Sequence, residues 1–197
     1  MARIMAAALL LAAACGDGGV RASVAAEPAA PVDTVRAMDE ELRRFTRGLA
    51  EPAALDGGEA SLEALARRFV AAVAARDTQA LRRMHLDRAE FAFLYYPSAP
   101  VSRPPYELPP GLLWFQVEGI TNQGITRLLR ELGGRALRFA ALSCAAPPER
   151  QGPNLVHAGC RVEYADAGGE RRAEKLFGNV LERGGRFKFI SYANDYD

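Results

Sequence analysis

The side chains that most often carry out chemistry are few in this chain, which has three cysteines and two histidines among 197 residues. It contains no G-x-S-x-G, H-E-x-x-H, C-x-x-C, phosphate-loop or Rossmann glycine motif. Common nucleophile, metal and nucleotide sites therefore lack their sequence signatures. Because the cysteines and histidines also miss the usual spacing of zinc ligands, we predict neither a metal ion nor a cofactor. The residues do not identify a reaction.

The charges of the chain nearly balance, with 25 Lys and Arg residues against 24 Asp and Glu residues and a formal net charge of +1. A nucleic-acid-binding protein or a polybasic membrane-surface protein needs a clear excess of positive charge. We therefore expect no nucleic-acid partner. With 49% hydrophobic residues, the chain is long enough to form one domain with a sizeable core.

The first residues have the layout of a secretory signal. A short positive start at Met1-Ala2-Arg3 precedes an apolar run over 4–14, and Cys15-Gly16-Asp17 ends that run. Eleven helical residues span about 16 Å, roughly half of the hydrocarbon core of a membrane, so a retained spanning helix is not expected. We predict a signal peptide over residues 1–14.

The segment Leu11-Ala12-Ala13-Ala14-Cys15 resembles the lipobox of bacterial lipoproteins, in which the cysteine is lipidated and becomes the new N-terminus. It departs from that pattern at Ala12, where the family prefers leucine. The resemblance implies an anchor in the lipid bilayer through Cys15. Because Gly16 rather than aspartate follows the cysteine, the resemblance also implies that, in a bacterium with two membranes, the protein is anchored on the periplasmic side of the outer membrane. Ordinary secretory cleavage after Ala14 and a buried Ala-rich helix are the alternatives.

Lipidation of Cys15 would leave Cys144 and Cys160 as one pair in an oxidising compartment. The lipoprotein resemblance therefore implies a disulfide between them. Two separately buried thiols are the alternative.

The rest of the chain divides into a flexible tether over 15–32, an amphipathic helix over 33–50 and a domain over 61–197. In the domain, Ser61 and Asp77 are predicted to cap two helices. Six of the twelve prolines follow between positions 97 and 110 and exclude regular structure there. A third helix is predicted over 111–132, and four strands over 137–144, 155–165, 171–182 and 187–192.

The segment from Phe69 to Leu81, FVAAVAARDTQAL, resembles the opening of the nuclear-transport-factor-2-like superfamily, which includes ketosteroid-isomerase-like and polyketide-cyclase-like proteins. The resemblance implies an α+β fold in which N-terminal helices pack in the hollow of a curved antiparallel meander of about four strands, forming a cone. The order of helices followed by strands also favours an α+β fold independently of any family.

Strand alternation predicts which side chains face the helices. With residues 166–169 as a loop, Arg161 is expected opposite Glu174 and Glu163 opposite Arg172. The inner face and the aromatic residues of the helical part then form a candidate pocket or contact surface, which consists of Tyr95, Tyr96, Trp114, Tyr164, Asn179 and Tyr192. The alternative is that these side chains simply fill the core.

The outer face of the predicted sheet carries an apolar patch at Leu176, Val180, Phe187 and Phe189. An exposed patch of this kind needs a cover. Either the amphipathic helix over 33–50 packs on it, or a symmetric partner does and the protein is a homodimer.

Two functions compete. The first is a non-catalytic binding or scaffold domain tethered to the envelope membrane, which we favour because no acid stands out on the inner face. The second is a small-molecule enzyme of the isomerase or cyclase type, since enzymes of the resembling superfamily place a carboxylate or His and a Tyr in the mouth of the cone for proton transfer. The aromatic, Pro-rich segment 91–114 is expected to form an ordered lid or a partner surface.

Overall fold

The computed structural model describes residues 37–196. The predicted signal peptide, Cys15, the tether and the first residues of the helix predicted over 33–50 lie outside the described residues. Within them, helices come first and antiparallel strands follow, which confirms the α+β class.

Four α-helices are described: α1 (Met38–Thr46), α2 (Leu62–Ala75), α3 (Thr78–Arg83) and α4 (Pro110–Glu131). The predicted caps are confirmed, because Ser61 Oγ accepts the N–H of Ala64 at 3.0 Å and Asp77 Oδ1 accepts that of Ala80 at 2.8 Å. Each cap satisfies a helix N–H group that would otherwise lack a partner.

Between α3 and α4 the chain forms a π-helical turn (Glu90–Tyr95) and two short 3-10 turns (Tyr96–Ser98 and Pro100–Ser102). The Pro-rich segment was predicted to lack regular structure, and these short turns are a partial correction. The Tyr96 hydroxyl donates to the carbonyl oxygen of Leu108 at 2.7 Å, so the ends of this segment are held together.

Helix α4 runs unbroken through Gly119 and Gly124. Gly124 lies against the backbone of Tyr192, where a Cβ would come 1.9 Å from the carbonyl oxygen. Gly119 is open, since no described atom lies within 4 Å of the position of its Cβ. Ile120 of α4 is 45% exposed, whereas its neighbour Thr121 is buried.

The two glycines give opposite expectations for alanine substitution. Gly119→Ala should raise the free energy of unfolding by about 0.5–1 kcal/mol, because alanine is the better helix former. Gly124→Ala should lower it by about 1–3 kcal/mol, because the backbone must move to admit the methyl group. Urea denaturation of both variants tests the pair. Equal effects of the two substitutions would show that α4 does not approach Tyr192 as described.

The described residues contain seven short strands instead of four: β1 (Arg138–Cys144), β2 (Glu149–Gln151), β3 (Asn154–His157), β4 (Cys160–Ala165), β5 (Arg171–Glu174), β6 (Val180–Arg183) and β7 (Arg186–Phe189). They form a three-stranded sheet in the order β1-β4-β5 and a four-stranded sheet in the order β2-β3-β6-β7, both antiparallel. The single meander of about four strands is therefore corrected to two sheets.

The extra strand ends have local causes. The strand predicted over 155–165 is interrupted at Gly159, whose φ of +63° is a left-handed conformation that strands do not use. The strand predicted over 171–182 is interrupted at residues 175–179. Strand β2 was not predicted.

The pairing of β4 with β5 differs by one residue from the prediction. Val162 pairs with Glu174 and Tyr164 pairs with Arg172. Because alternate residues of a strand point to opposite faces, this shift moves Glu174 from the outer face to the face of the buried Tyr164. The predicted opposition of Arg161 to Glu174 is therefore wrong.

The core lies between α2 and the sheets. Phe69 of α2 contacts Phe177, Phe189 and Tyr192, with ring centroids 5.4 to 5.8 Å apart, and all four side chains are fully buried. Val180 is also completely buried. Three members of the patch expected on the outer face, Leu176, Val180 and Phe189, are thus buried within this chain.

Helix α1 packs elsewhere. Its buried Phe45 lies in a cluster with Phe91, Tyr96 and Val117, so α1 contacts the π-helical turn and α4. The helix predicted over 33–50 was expected to pack on the sheet, but α2 packs there instead.

The predicted disulfide is confirmed: Cys144 of β1 and Cys160 of β4 are bonded and pair directly across the two strands. Closing a loop of this length stabilises the fold by about 3 kcal/mol in the chain-entropy model.

Candidate ligand-binding groove

The structure does not bring the six predicted pocket residues together. Tyr164 and Tyr192 are buried in the main core. Tyr96 is buried in the separate cluster around Phe45, where the half-buried Tyr95 and Trp114 pack against it. The Tyr192 hydroxyl donates to the carbonyl oxygen of Leu81 at 2.6 Å. Most of these aromatic side chains therefore fill the interior.

Asn179 does not lie on the core face. It is exposed, and it sits in the break between β5 and β6, where the strand alternation used for the prediction does not apply. Its backbone carbonyl still accepts the N–H of Ile190 at 2.8 Å.

A carboxylate that sequence reasoning missed lies beside two tyrosines. Glu174 Oε2 accepts the hydroxyl of Tyr164 at 2.9 Å and also that of Tyr196. Burial, and then the hydrogen bond with Glu174, raises the pKa of Tyr196. A small pocket of about 260 Å³ lies here, lined by Arg161, Glu174, Lys175, Asp195 and Tyr196. The hydrogen bond from Tyr196 to Glu174 connects the C-terminal segment to β5.

A second missed feature is a buried ion pair. Lys188 of β7 lies 2.7 Å from Glu90, and both side chains are at most 5% exposed. The other hydrogen bonds of the Glu90 carboxylate come from backbone N–H groups, those of Asp56 at 2.6 Å and Asp87 at 2.9 Å. The buried carboxylate is therefore compensated by three donors, as a buried charge requires.

Above this ion pair lies a pocket of about 350 Å³, which we call the basic pocket. It is lined by Asp56, Gly57, Arg68, Arg82, Arg83, His85, Asp87 and Lys188. Lys188 is paired with Glu90, and Arg68 forms an ion pair with Glu59.

The remaining cations of the basic pocket are Arg82 and Arg83, at the end of α3. Arg82 donates to the amide oxygen of Asn122 at 2.9 Å, which leaves its charge uncompensated. Within residues 37–196, neither guanidinium has a carboxylate within 4 Å. Two guanidinium groups that line one pocket in this state are suited to bind an anion.

His85 forms part of the wall of the pocket and is 95% buried. Its Nε2 lies 2.9 Å from the carbonyl oxygen of Ile190 and 3.1 Å from the hydroxyl of Thr121. A carbonyl oxygen can only accept, so Nε2 carries a proton and donates it. Burial, opposed in part by the hydrogen bond to Ile190, lowers the pKa of His85 from 6.5 to about 4.

This shift predicts acid sensitivity. Between pH 6.5 and about 4 the unfolded chain binds a proton at His85 that the folded chain does not. Stability is therefore complete above pH 6.5 and falls by about 1.4 kcal/mol per pH unit below it. Urea denaturation from pH 7 to pH 4 measures the slope, and His85→Gln should lack this part of it. An identical slope in the variant would refute the prediction.

A further pocket of about 230 Å³, which we call the Trp114 pocket, adjoins the basic pocket. It is lined by Arg82, His85, Leu86, Asp87, Arg88, Trp114, Glu118 and Thr121. Since three residues line both pockets, we treat the two as one groove. Trp114 is the one predicted site residue that reaches this groove.

One sequence signal could have indicated Glu90. Asp87 and Glu90 have capping-box spacing, and each side chain accepts the backbone N–H of the other, at 2.8 and 2.9 Å. Lys188 stands between Phe187 and Phe189, so strand alternation places it on the opposite face from them. Nothing local in the sequence relates these two positions.

No known protein family matches the chain, and no curated protein or solved structure does so either. Among residues 37–196, no helix has the length and hydropathy needed to cross a membrane.

Proposed function

We propose that this chain is a lipid-anchored protein of a bacterial envelope, whose domain binds a small anionic ligand without catalysing a reaction. The anion lies in the basic pocket between Arg82 and Arg83. The observation that carries this proposal is the pair of guanidinium groups without a carboxylate partner among the described residues, in a pocket of about 350 Å³. A pocket of this size suits a small molecule.

The packing of the core supports binding over catalysis. The interior where the resembling superfamily has its active site is occupied here by the rings of Phe69, Phe177, Phe189 and Tyr192. Membership of that superfamily and a cone-like arrangement of the sheets remain part of this proposal, supported by the order of helices and strands.

Inorganic phosphate is the first probe of anion binding. At ten times its dissociation constant, phosphate should raise the free energy of unfolding by about 1.4 kcal/mol, provided that it binds only the folded chain. Sodium chloride at the same ionic strength serves as the control for screening.

Two variants locate the bound anion. Arg83→Gln should weaken phosphate binding about tenfold or more, because a charge-assisted hydrogen bond is lost. Arg67→Gln is the matched control, since Arg67 is exposed on α2, pairs with Glu63 and does not line the pocket. The absence of stabilisation by phosphate, or equal binding by both variants, would overturn the proposal.

A proton-transfer enzyme is the second candidate, favoured by one observation. Glu174 lies in hydrogen-bond contact with the hydroxyls of Tyr164 and Tyr196, beside a pocket of about 260 Å³. Deuterium uptake next to the carbonyl of simple ketones in D₂O tests it. Faster uptake with the wild type than with Glu174→Gln would support catalysis, and equal rates would exclude it for those ketones.

The lipid anchor rests on the sequence around Cys15, and the Cys144–Cys160 disulfide supports it because such bonds persist in oxidising compartments. Intact mass of the membrane-extracted protein tests the anchor. A diacylglyceryl adduct on a chain beginning at Cys15 is expected, and Cys15→Ser should be released from membranes. A mass without the adduct, or equal membrane retention of the variant, would contradict lipidation.

A further inference from the structure

The Trp114 pocket differs chemically from the basic pocket that it adjoins. It has a carboxylate at Glu118 and an indole at Trp114, neither of which lines the basic pocket. Arg88, which also lines it, is held elsewhere, because its guanidinium lies over the Phe45 ring and donates to the Phe45 carbonyl oxygen. The groove therefore has a cationic end at Arg83 and an acceptor-rich end at Glu118.

Two hydrogen-bond acceptors face each other at the acceptor-rich end. His85 uses Nε2 for its hydrogen bonds to Ile190 and Thr121. The low pKa keeps the ring neutral near pH 7, so Nδ1 carries a lone pair instead of a proton. Glu118 Oε1 lies 3.8 Å from this nitrogen. A donor from outside the protein can bridge two acceptors at this distance.

We infer that the groove binds a small molecule carrying both an anionic group and a primary ammonium group. The anion lies between Arg82 and Arg83, and the ammonium group donates to Glu118 and to Nδ1 of His85. This inference deepens the anion binding proposed above and rests on it.

The other walls of the Trp114 pocket fit an ammonium group. The Trp114 and His85 ring centroids are 6.1 Å apart, so the indole is within reach of a cation held at the imidazole. Glu118 is 33% exposed and can be reached by a ligand from solvent. A ligand with anions at both ends would place one of them against Glu118 and Asp87, and like charges reject such a ligand.

Matched phosphonates with and without an amine test this inference. The pairs are aminoethyl-, aminopropyl- and aminobutylphosphonate against ethyl-, propyl- and butylphosphonate, titrated into the full-length protein by calorimetry. For at least one chain length, the amine should improve affinity about tenfold, which corresponds to one charge-assisted hydrogen bond. Trp114 is the single tryptophan of the chain, so its fluorescence should change with the amino ligand.

Glu118→Gln should bring the affinity ratio of the amino to the plain phosphonate close to one. Glu63→Gln is the matched control, because Glu63 lies on the exposed side of α2 and pairs with Arg67. It should keep the ratio of the wild type.

The outcomes separate the two proposals. Binding of plain and amino phosphonates with equal affinity at every chain length, or an unchanged ratio in Glu118→Gln, overturns the ammonium site and leaves anion binding intact. Binding of neither class overturns both.

Both free solutes and lipid headgroups can carry an anionic group together with a primary ammonium group. Phosphatidylethanolamine and phosphatidylglycerol, each added to the detergent micelles that hold the protein, separate these sources. Displacement of the amino phosphonate by phosphatidylethanolamine alone assigns the site to a headgroup. Displacement by neither lipid assigns it to a free solute, and equal displacement by both counts against recognition of the amine.

Discussion

Lys188→Met is expected to lower the free energy of unfolding by about 3–5 kcal/mol, the usual effect of removing one partner of a buried ion pair. Methionine fills nearly the same volume, so the effect arises from charge and not from a cavity. Glu90, which is completely buried, would keep its two backbone donors but lose the lysine 2.7 Å away. Chemical denaturation at pH 7 measures the change.

The chain's other lysine provides the control. Lys175 pairs with Asp195 at 3.4 Å on the surface, where both side chains are more than one third exposed. Lys175→Met should therefore change stability by less than about 1 kcal/mol. The double variant Glu90→Gln/Lys188→Met removes both charges and should recover part of the loss. Similar effects of the two lysine substitutions would show that the Glu90–Lys188 pair is not buried.

Tyr96→Ala should lower the free energy of unfolding by about 3–5 kcal/mol, as truncation of a large buried aromatic residue does. The side chain is 2% exposed and packs against Phe91, with ring centroids 6.0 Å apart. Its hydroxyl also holds the carbonyl oxygen of Leu108. The alanine substitution thus leaves a cavity and releases the Pro-rich segment at once.

Two further substitutions separate these contributions. Tyr96→Phe removes only the hydroxyl and should lower stability by about 1–3 kcal/mol, because the Leu108 carbonyl loses its partner. Tyr106→Ala lies in the same segment, but Tyr106 is 66% exposed, so a change within about 0.5 kcal/mol is expected. If Tyr96→Ala resembled Tyr106→Ala, and amides of residues 97–110 exchanged rapidly in the wild type, the segment would be a loose loop.

Residues 91–114 were expected to form an ordered lid or a partner surface through their aromatic side chains. The structure packs Tyr96 between α1 and α4, while Tyr106 remains 66% exposed. Composition predicts an ordered segment, because proline and tyrosine lower the entropy lost on ordering. It did not specify which of the aromatic residues are buried, since that depends on the position of α1.

The helices and their starts were predictable because the signals are local. Ser61 and Asp77 each bond to an N–H three residues later, so the cap and its partner are read from one short segment. The breaks in the strands were harder to predict. The sequence pattern suggests that inward and outward side chains alternate without a break through Gly159 and through residues 175–179. The backbone turns at both places, so Asn179 lies on the surface.

The sequence by itself therefore determined the α+β class, the helix caps and, through the lipoprotein resemblance, the Cys144–Cys160 pairing. Only the tertiary structure decided the groove. Glu90 and Lys188 are 98 positions apart, and His85 and Ile190 are 105 apart. Contacts over such separations depend on how α3, α4 and β7 meet, and one residue of register moved Glu174 to the opposite face. Local propensity carries no information about these encounters, because their energy arises from burial and charge pairing after the elements have packed.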